Sequence, residues 1–118
     1  MVKMAIPVEA PEGMSSEVSD HFGMAQDFAV FEYSGGEVTE LQFIHNSPRA
    51  PESRNNARLL ADEGVKIVLA GSMGPHMISL LLAEGMRVFK DAEGTIEEVL
   101  EDYRAGMLAE ARSAGTMI

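Results

Sequence analysis

The chain has 118 residues, enough for one self-sufficient core, and its 46% hydrophobic and 24% charged residues exclude a disordered polymer. A net charge of -10, with nine scattered Lys and Arg, argues against nucleic acid or an anionic membrane as partner. Cysteine is absent, which removes disulfides, thiolate nucleophiles and cysteine-ligated zinc or iron–sulfur sites.

Val2 to Val8 reads as a first strand, short and apolar, with Pro7 near its end where a missing ladder donor costs least. The loop after it carries Ser19-Asp20-His21-Phe22-Gly23, which places one of only three histidines beside a carboxylate and next to glycine. Two β-rich runs, Phe28 to Tyr33 and Val38 to Ile44, flank Ser34-Gly35-Gly36-Glu37. The two glycines supply the positive φ of a tight hairpin, so these strands are expected to be antiparallel neighbours. Residues 45–56 hold two prolines and several turn formers, and predict a surface loop entering a helix near Ser53 or Arg54.

That helix is expected to end at Gly64, and Lys66 to Ala70 follows as an apolar run without alternation, the pattern of a strand covered on both faces. Gly71-Ser72-Met73-Gly74-Pro75-His76 comes next, with Pro75 suited to the first turn of a helix that runs to Gly85. Met86 to Phe89 repeats the helix-glycine-strand unit. Thr95-Ile96-Glu97-Glu98 is a capping box, and starts a helix expected over 96–105. A domain over 1–106 is therefore expected, with 107–118 a frayed helix or disordered tail. The fold class predicted is α/β, a single domain with a five-stranded mixed sheet flanked by helices.

Ligands of open α/β sheets bind beyond the carboxyl ends of parallel strands where strand order reverses. If the first strand lies beside the fourth, the Ser19 to Gly23 loop and the Gly71 to His76 loop leave from one edge. The second loop would aim helix N–H groups outward, an environment for an anion or a sulfide-rich cluster. His21 is the candidate metal ligand, with Asp20 or a backbone carbonyl orienting its other nitrogen; capping or plain hydrogen bonding is the alternative. His76 and His45 are further candidates, each with a solvated position as the alternative. Nine methionines mostly fill the core, but Met24, Met73 and Met77 lie at the two loops, and Met73 is the one expected to line a site. Gly71 to Gly74 is neither a P-loop nor a dinucleotide fingerprint, and Ser19 and Ser72 lack the partners of a catalytic nucleophile.

Taken in order, Ser19 to Gly23, Gly35-Gly36-Glu37-Val38, Leu60 to Val65, Gly71 to Pro75 and Ala92-Glu93-Gly94-Thr95 resemble the dinitrogenase iron-molybdenum cofactor biosynthesis family. The resemblance spans about residues 2–106. It implies a ribonuclease H-like sheet in strand order 3-2-1-4-5 and the binding or carrying of a metal-sulfur cluster, in nitrogen-fixing relatives the iron-molybdenum cofactor or its precursor. It also makes His21 the matching motif histidine and Gly71 to Pro75 the matching glycine-rich loop. The function expected is a non-catalytic, cytoplasmic carrier whose partners are cluster donor or acceptor proteins. Ser19, Asp20, Phe22, Gly23, Ser72, Gly74 and His76 would line the site, and Arg49 or Arg54 would add positive charge. Two other readings stand beside it: an anion- or small-molecule-binding regulatory module, and a metal-dependent ribonuclease H-like hydrolase, which needs several carboxylates converging from strands. The absence of a signal-peptide pattern and of a bilayer-length apolar run underlies the cytoplasmic expectation.

Overall fold

Six strands form one mixed sheet in the order β3-β2-β1-β4-β5-β6 in this computed structural model, which describes residues 2–46 and 55–112. β1 (Val2–Val8) runs antiparallel to β2 (Asp27–Ser34), and β2 to β3 (Glu37–His45). β1 pairs in parallel with β4 (Ile67–Leu69), which pairs in parallel with β5 (Arg87–Lys90). The Gly35-Gly36 hairpin forms as expected, both glycines at positive φ. Ile67, Val68 and Leu69 are all buried, as a strand covered on both faces requires.

The covers are helices α1 (Asn56–Asp62), α2 (Pro75–Ala83) and α3 (Ile96–Arg104). Leu59 and Leu60 of α1 and Ile78 and Leu81 of α2 pack with Ala5, Phe28, Val30, Val68 and Val88 on one face. Ile96, Val99 and Leu100 of α3 pack with Met4, Ile6, Phe31, Ile67 and Leu69 on the other. Gly64 and Gly85, at φ 82° and 86°, turn the chain out of α1 and α2. The capping box is present in full: the Glu98 N–H donates to Thr95 Oγ1 at 3.2 Å, and the Thr95 N–H donates to Glu98 Oε1 at 2.9 Å. Asn55 caps α1; a helix start at Ser53 or Arg54 lies outside the described residues.

The expected five strands are corrected to six. Residues Ala109–Ala111, expected in a frayed or disordered tail, form β6 antiparallel to β5. Alanine and glutamate have poor strand preference, so nothing local announces this strand. Its anchor is distant in sequence: Arg87 Nε and Nη2 each donate to a Glu110 carboxylate oxygen at 3.0 Å.

That hydrogen-bonded pair, with the attraction of its charges, holds the Glu110 carboxyl below its ordinary range. A carboxyl whose pKa falls on folding stabilises the fold above its unfolded value, about 4.3, and loses that contribution as pH drops through the folded value. The pair is exposed, so the loss should stay local. Acidification from about pH 5 towards 3 is expected to lower the protection of Ala109–Ala111 against hydrogen exchange, relative to the intrinsic rate at each pH, before that of the central strands. Glu110→Gln should do the same at neutral pH, and protection of β6 independent of both would show that the pair does not hold it.

Candidate functional site

The segment between β1 and β2 is a strap rather than a free loop. The Glu9 N–H donates to Glu17 O at 2.9 Å, that of Val18 to Gly94 O at 2.9 Å, and that of Ile96 to Ser16 O at 2.9 Å. Ser16, fully buried, ties the bend by accepting from the Glu12 N–H and donating to Gly13 O. The strap thus lies between the end of β1 and the start of α3. The Ser19 N–H donates to Pro7 O at 2.8 Å, which delivers the next residues to the carboxyl end of β1.

There the two motif loops meet. His21 bridges Ser72 in parallel, and the Phe22 N–H donates to Ser72 O at 3.3 Å. Gly71 leaves room for this contact: a Cβ there would stand 3.4 Å from Ser19 O and 3.1 Å from Ala92 O. The Asp91 N–H donates to Gly71 O and that of Ala92 to Ala70 O, both at 3.0 Å, so the β5 end closes the same junction.

Ser19 and Phe22 are buried and act as supports, whereas His21, Ser72, Gly74 and His76 are exposed and Met73 is half-buried against the α1–α2 core. Ser19 Oγ accepts from the His21 N–H at 3.3 Å. Gly23 lies within the 3-10 turn Phe22–Met24, and Met24 at its end is 81% exposed, the most exposed large apolar side chain described. His45 is engaged elsewhere, Nδ1 2.9 Å from Asp27 Oδ1.

His21 has extended dihedrals, φ -132° and ψ 93°, while Asp20 before it sits at a bend. Asp20 lines an open cleft of about 650 Å³, whose walls omit His21. Gly71, Ser72 and Met73 of the second loop line it too, together with Glu9, Glu17, Asp91, Glu93 and Lys90, leaving carboxylates in excess. The cleft draws on separate stretches of chain, and no local motif announced it. Its field repels anions, whereas α2 starts nearby with no side-chain cap on Gly74 and no acidic residue in its first turn. The α2 N-terminus is therefore the part of the junction that favours an anion, and the Ser72–Met73 stretch leading to it borders the acidic cleft. Among the described residues no three His, Asp or Glu side chains converge as a metal cage.

The family model described as dinitrogenase iron-molybdenum cofactor matches residues 2–106. The chain belongs to that family. It is similar to protein MJ0580 of Methanocaldococcus jannaschii, 26% identical over 111 residues that cover 92% of this chain and 90% of the other. Among solved structures it resembles the apo form of the orange protein from Desulfovibrio gigas, with 26% identity, 98% of each chain covered and a TM-score of 0.82. A Thermotoga protein described as NifB is 27% identical, with 93% of each chain covered and a TM-score of 0.72.

Proposed function

We propose that this protein is a non-catalytic carrier of a metal-sulfur cluster, of the iron-molybdenum type or related to it, which it takes from a donor protein and passes to an acceptor. Family membership supports a cofactor-related role, and the observation that carries the reading is the contact of the His21 turn with the Gly71–Gly74 loop. His21 would contact a metal of the cargo, and the open N–H groups at the start of α2, His76 among them, would take up its negative charge. Ser72 and Met73 line the contact, while Ser19 and Phe22 hold the backbone in place. A cluster that arrives with its own sulfides needs few protein ligands. Without cysteine thiolates the grip is noncovalent and labile, which suits transfer better than storage. Arg49 and Arg54, expected to add positive charge, lie outside the described residues.

Anaerobic titration with ferrous iron and tetrathiomolybdate, read by visible absorption and metal analysis after gel filtration, tests this. His21→Ala is expected to weaken uptake about tenfold, the loss of one good contact. Equal uptake by variant and wild type would remove the proposal. A regulatory module for phosphate-bearing ligands is the second reading, favoured by the uncapped α2 N-terminus. Metal-free protein binding such a ligand, indifferent to His21→Ala, would put it first.

A further inference from the structure

Asn56 is buried at the first position of α1, where an alanine would favour the helix more and hide no polar group. Its amide is fully engaged away from that helix. Nδ2 donates to Phe22 O at 2.9 Å and to Ala25 O at 3.2 Å, the two carbonyls that bracket the 3-10 turn next to His21. Oδ1 accepts from Asn46 Nδ2 at 2.9 Å, and the Asn46 N–H in turn donates to Gln26 O at 2.8 Å. Only one amide orientation serves this arrangement, because two carbonyls cannot face Oδ1.

The hydrogen bonds run on into the site. Asn46 orients Asn56, Asn56 holds the carbonyl of Phe22, and the N–H of Phe22 reaches Ser72 O in the second loop. This last bond is long, at 3.3 Å, and belongs to the residue that follows His21. The turn is thus also held from behind, by the buried amide of Asn56.

We propose that Asn56, oriented by Asn46, is the positioning residue of the site: it fixes the His21 turn against the Ser72 loop, and thereby sets the affinity for the cargo. The consequence for affinity rests on the carrier reading above; the positioning itself does not. Replacing Asn56 removes both donors to the turn, whereas replacing Asn46 leaves them in place and frees the amide to rotate. The two variants should act in the same direction, with Asn46→Ala the milder.

The test compares Asn56→Ala and Asn46→Ala with Val99→Ala, a cavity variant in the opposite core, at a temperature where circular dichroism shows all of them folded. Hydrogen exchange at the Phe22 amide should quicken about tenfold in Asn56→Ala and severalfold in Asn46→Ala, beyond any change at the Val68 amide, which follows global stability, since one net hydrogen bond is worth about that factor in a local opening. Uptake of ferrous iron and tetrathiomolybdate should weaken in step. Val99→Ala should leave both readings near wild type, although it lowers the melting temperature. Phe22 exchange at the wild-type rate in both asparagine variants, or an equal change in Val99→Ala, would overturn the proposal. Should Asn56→Ala not fold, Asn46→Ala decides by the same readings. A wild-type protein that takes up no cluster would end the carrier reading, and the exchange data would still decide the positioning role.

Discussion

Phe22→Ala is expected to cost about 3–5 kcal/mol, a large share of the 5–15 kcal/mol that holds a domain of this kind together. Phe22 is fully buried within the face covered by α1 and α2, and its ring meets that of Phe28 edge to face with centroids 5.5 Å apart. Truncation leaves a cavity that neither rigid neighbour can fill, because Phe28 sits in β2 and the backbone on either side of Phe22 is tied to Ser72 and Asn56. At about 4 °C per kcal/mol for a chain of this length, the melting temperature should fall by about 12–20 °C in calorimetry. Phe22→Leu keeps most of the volume and loses mainly the ring contact, about 0.5–1.5 kcal/mol. A drop of only a few degrees for Phe22→Ala would mean that the turn is not anchored by its side chain.

The same residue shows why part of the site was legible in the sequence. Ser19 to Gly23 could be placed at the end of the first strand, and Gly71 to His76 at the end of the fourth, because strand runs and glycine stops are local signals. Their meeting then followed from strand order, which β1 pairing with β4 bears out. The hairpin at Gly35-Gly36, the unalternating β4 and the Thr95–Glu98 box were legible for the same reason: each is fixed by chemistry within a few residues.

What escaped was held by partners distant in sequence. β6 takes its place beside β5, where Arg87 reaches Glu110, and the Ala-Glu-Ala run by itself says nothing. The acidic cleft collects Glu9, Glu17, Asp20, Asp91 and Glu93 only once the strap from 9 to 19 lies beside the end of β5. Asn46 and Asn56 read as turn formers around a proline loop, and nothing local shows their amides meeting or one of them serving the His21 turn.

Gly71→Ala should separate the geometry of this junction from its general stability. Gly71 does not have the positive φ that would make any side chain strained, so space alone decides. The added Cβ would stand 3.1 Å from Ala92 O and 3.4 Å from Ser19 O, both backbone atoms. Neither yields freely, since the Ala92 N–H is bonded to Ala70 O and that of Ser19 to Pro7 O. The tight contact is the one with Ala92 O, so relief must come from shifting the Gly71 loop off the end of β5 by a few tenths of an ångström, at about 1–3 kcal/mol for an overpacked position. The Phe22 to Ser72 hydrogen bond, already 3.3 Å, would then be the first to fail. Gly74→Ala is the matched control: nothing lies within 4 Å of its added Cβ, its φ is an ordinary -75°, and a weaker helix start should cost under about 1 kcal/mol. Gly71→Ala should therefore lower both the melting temperature and cluster uptake, whereas Gly74→Ala should lower the melting temperature only slightly. If the two variants lower the melting temperature alike, the close approach at Gly71 is not what shapes the junction.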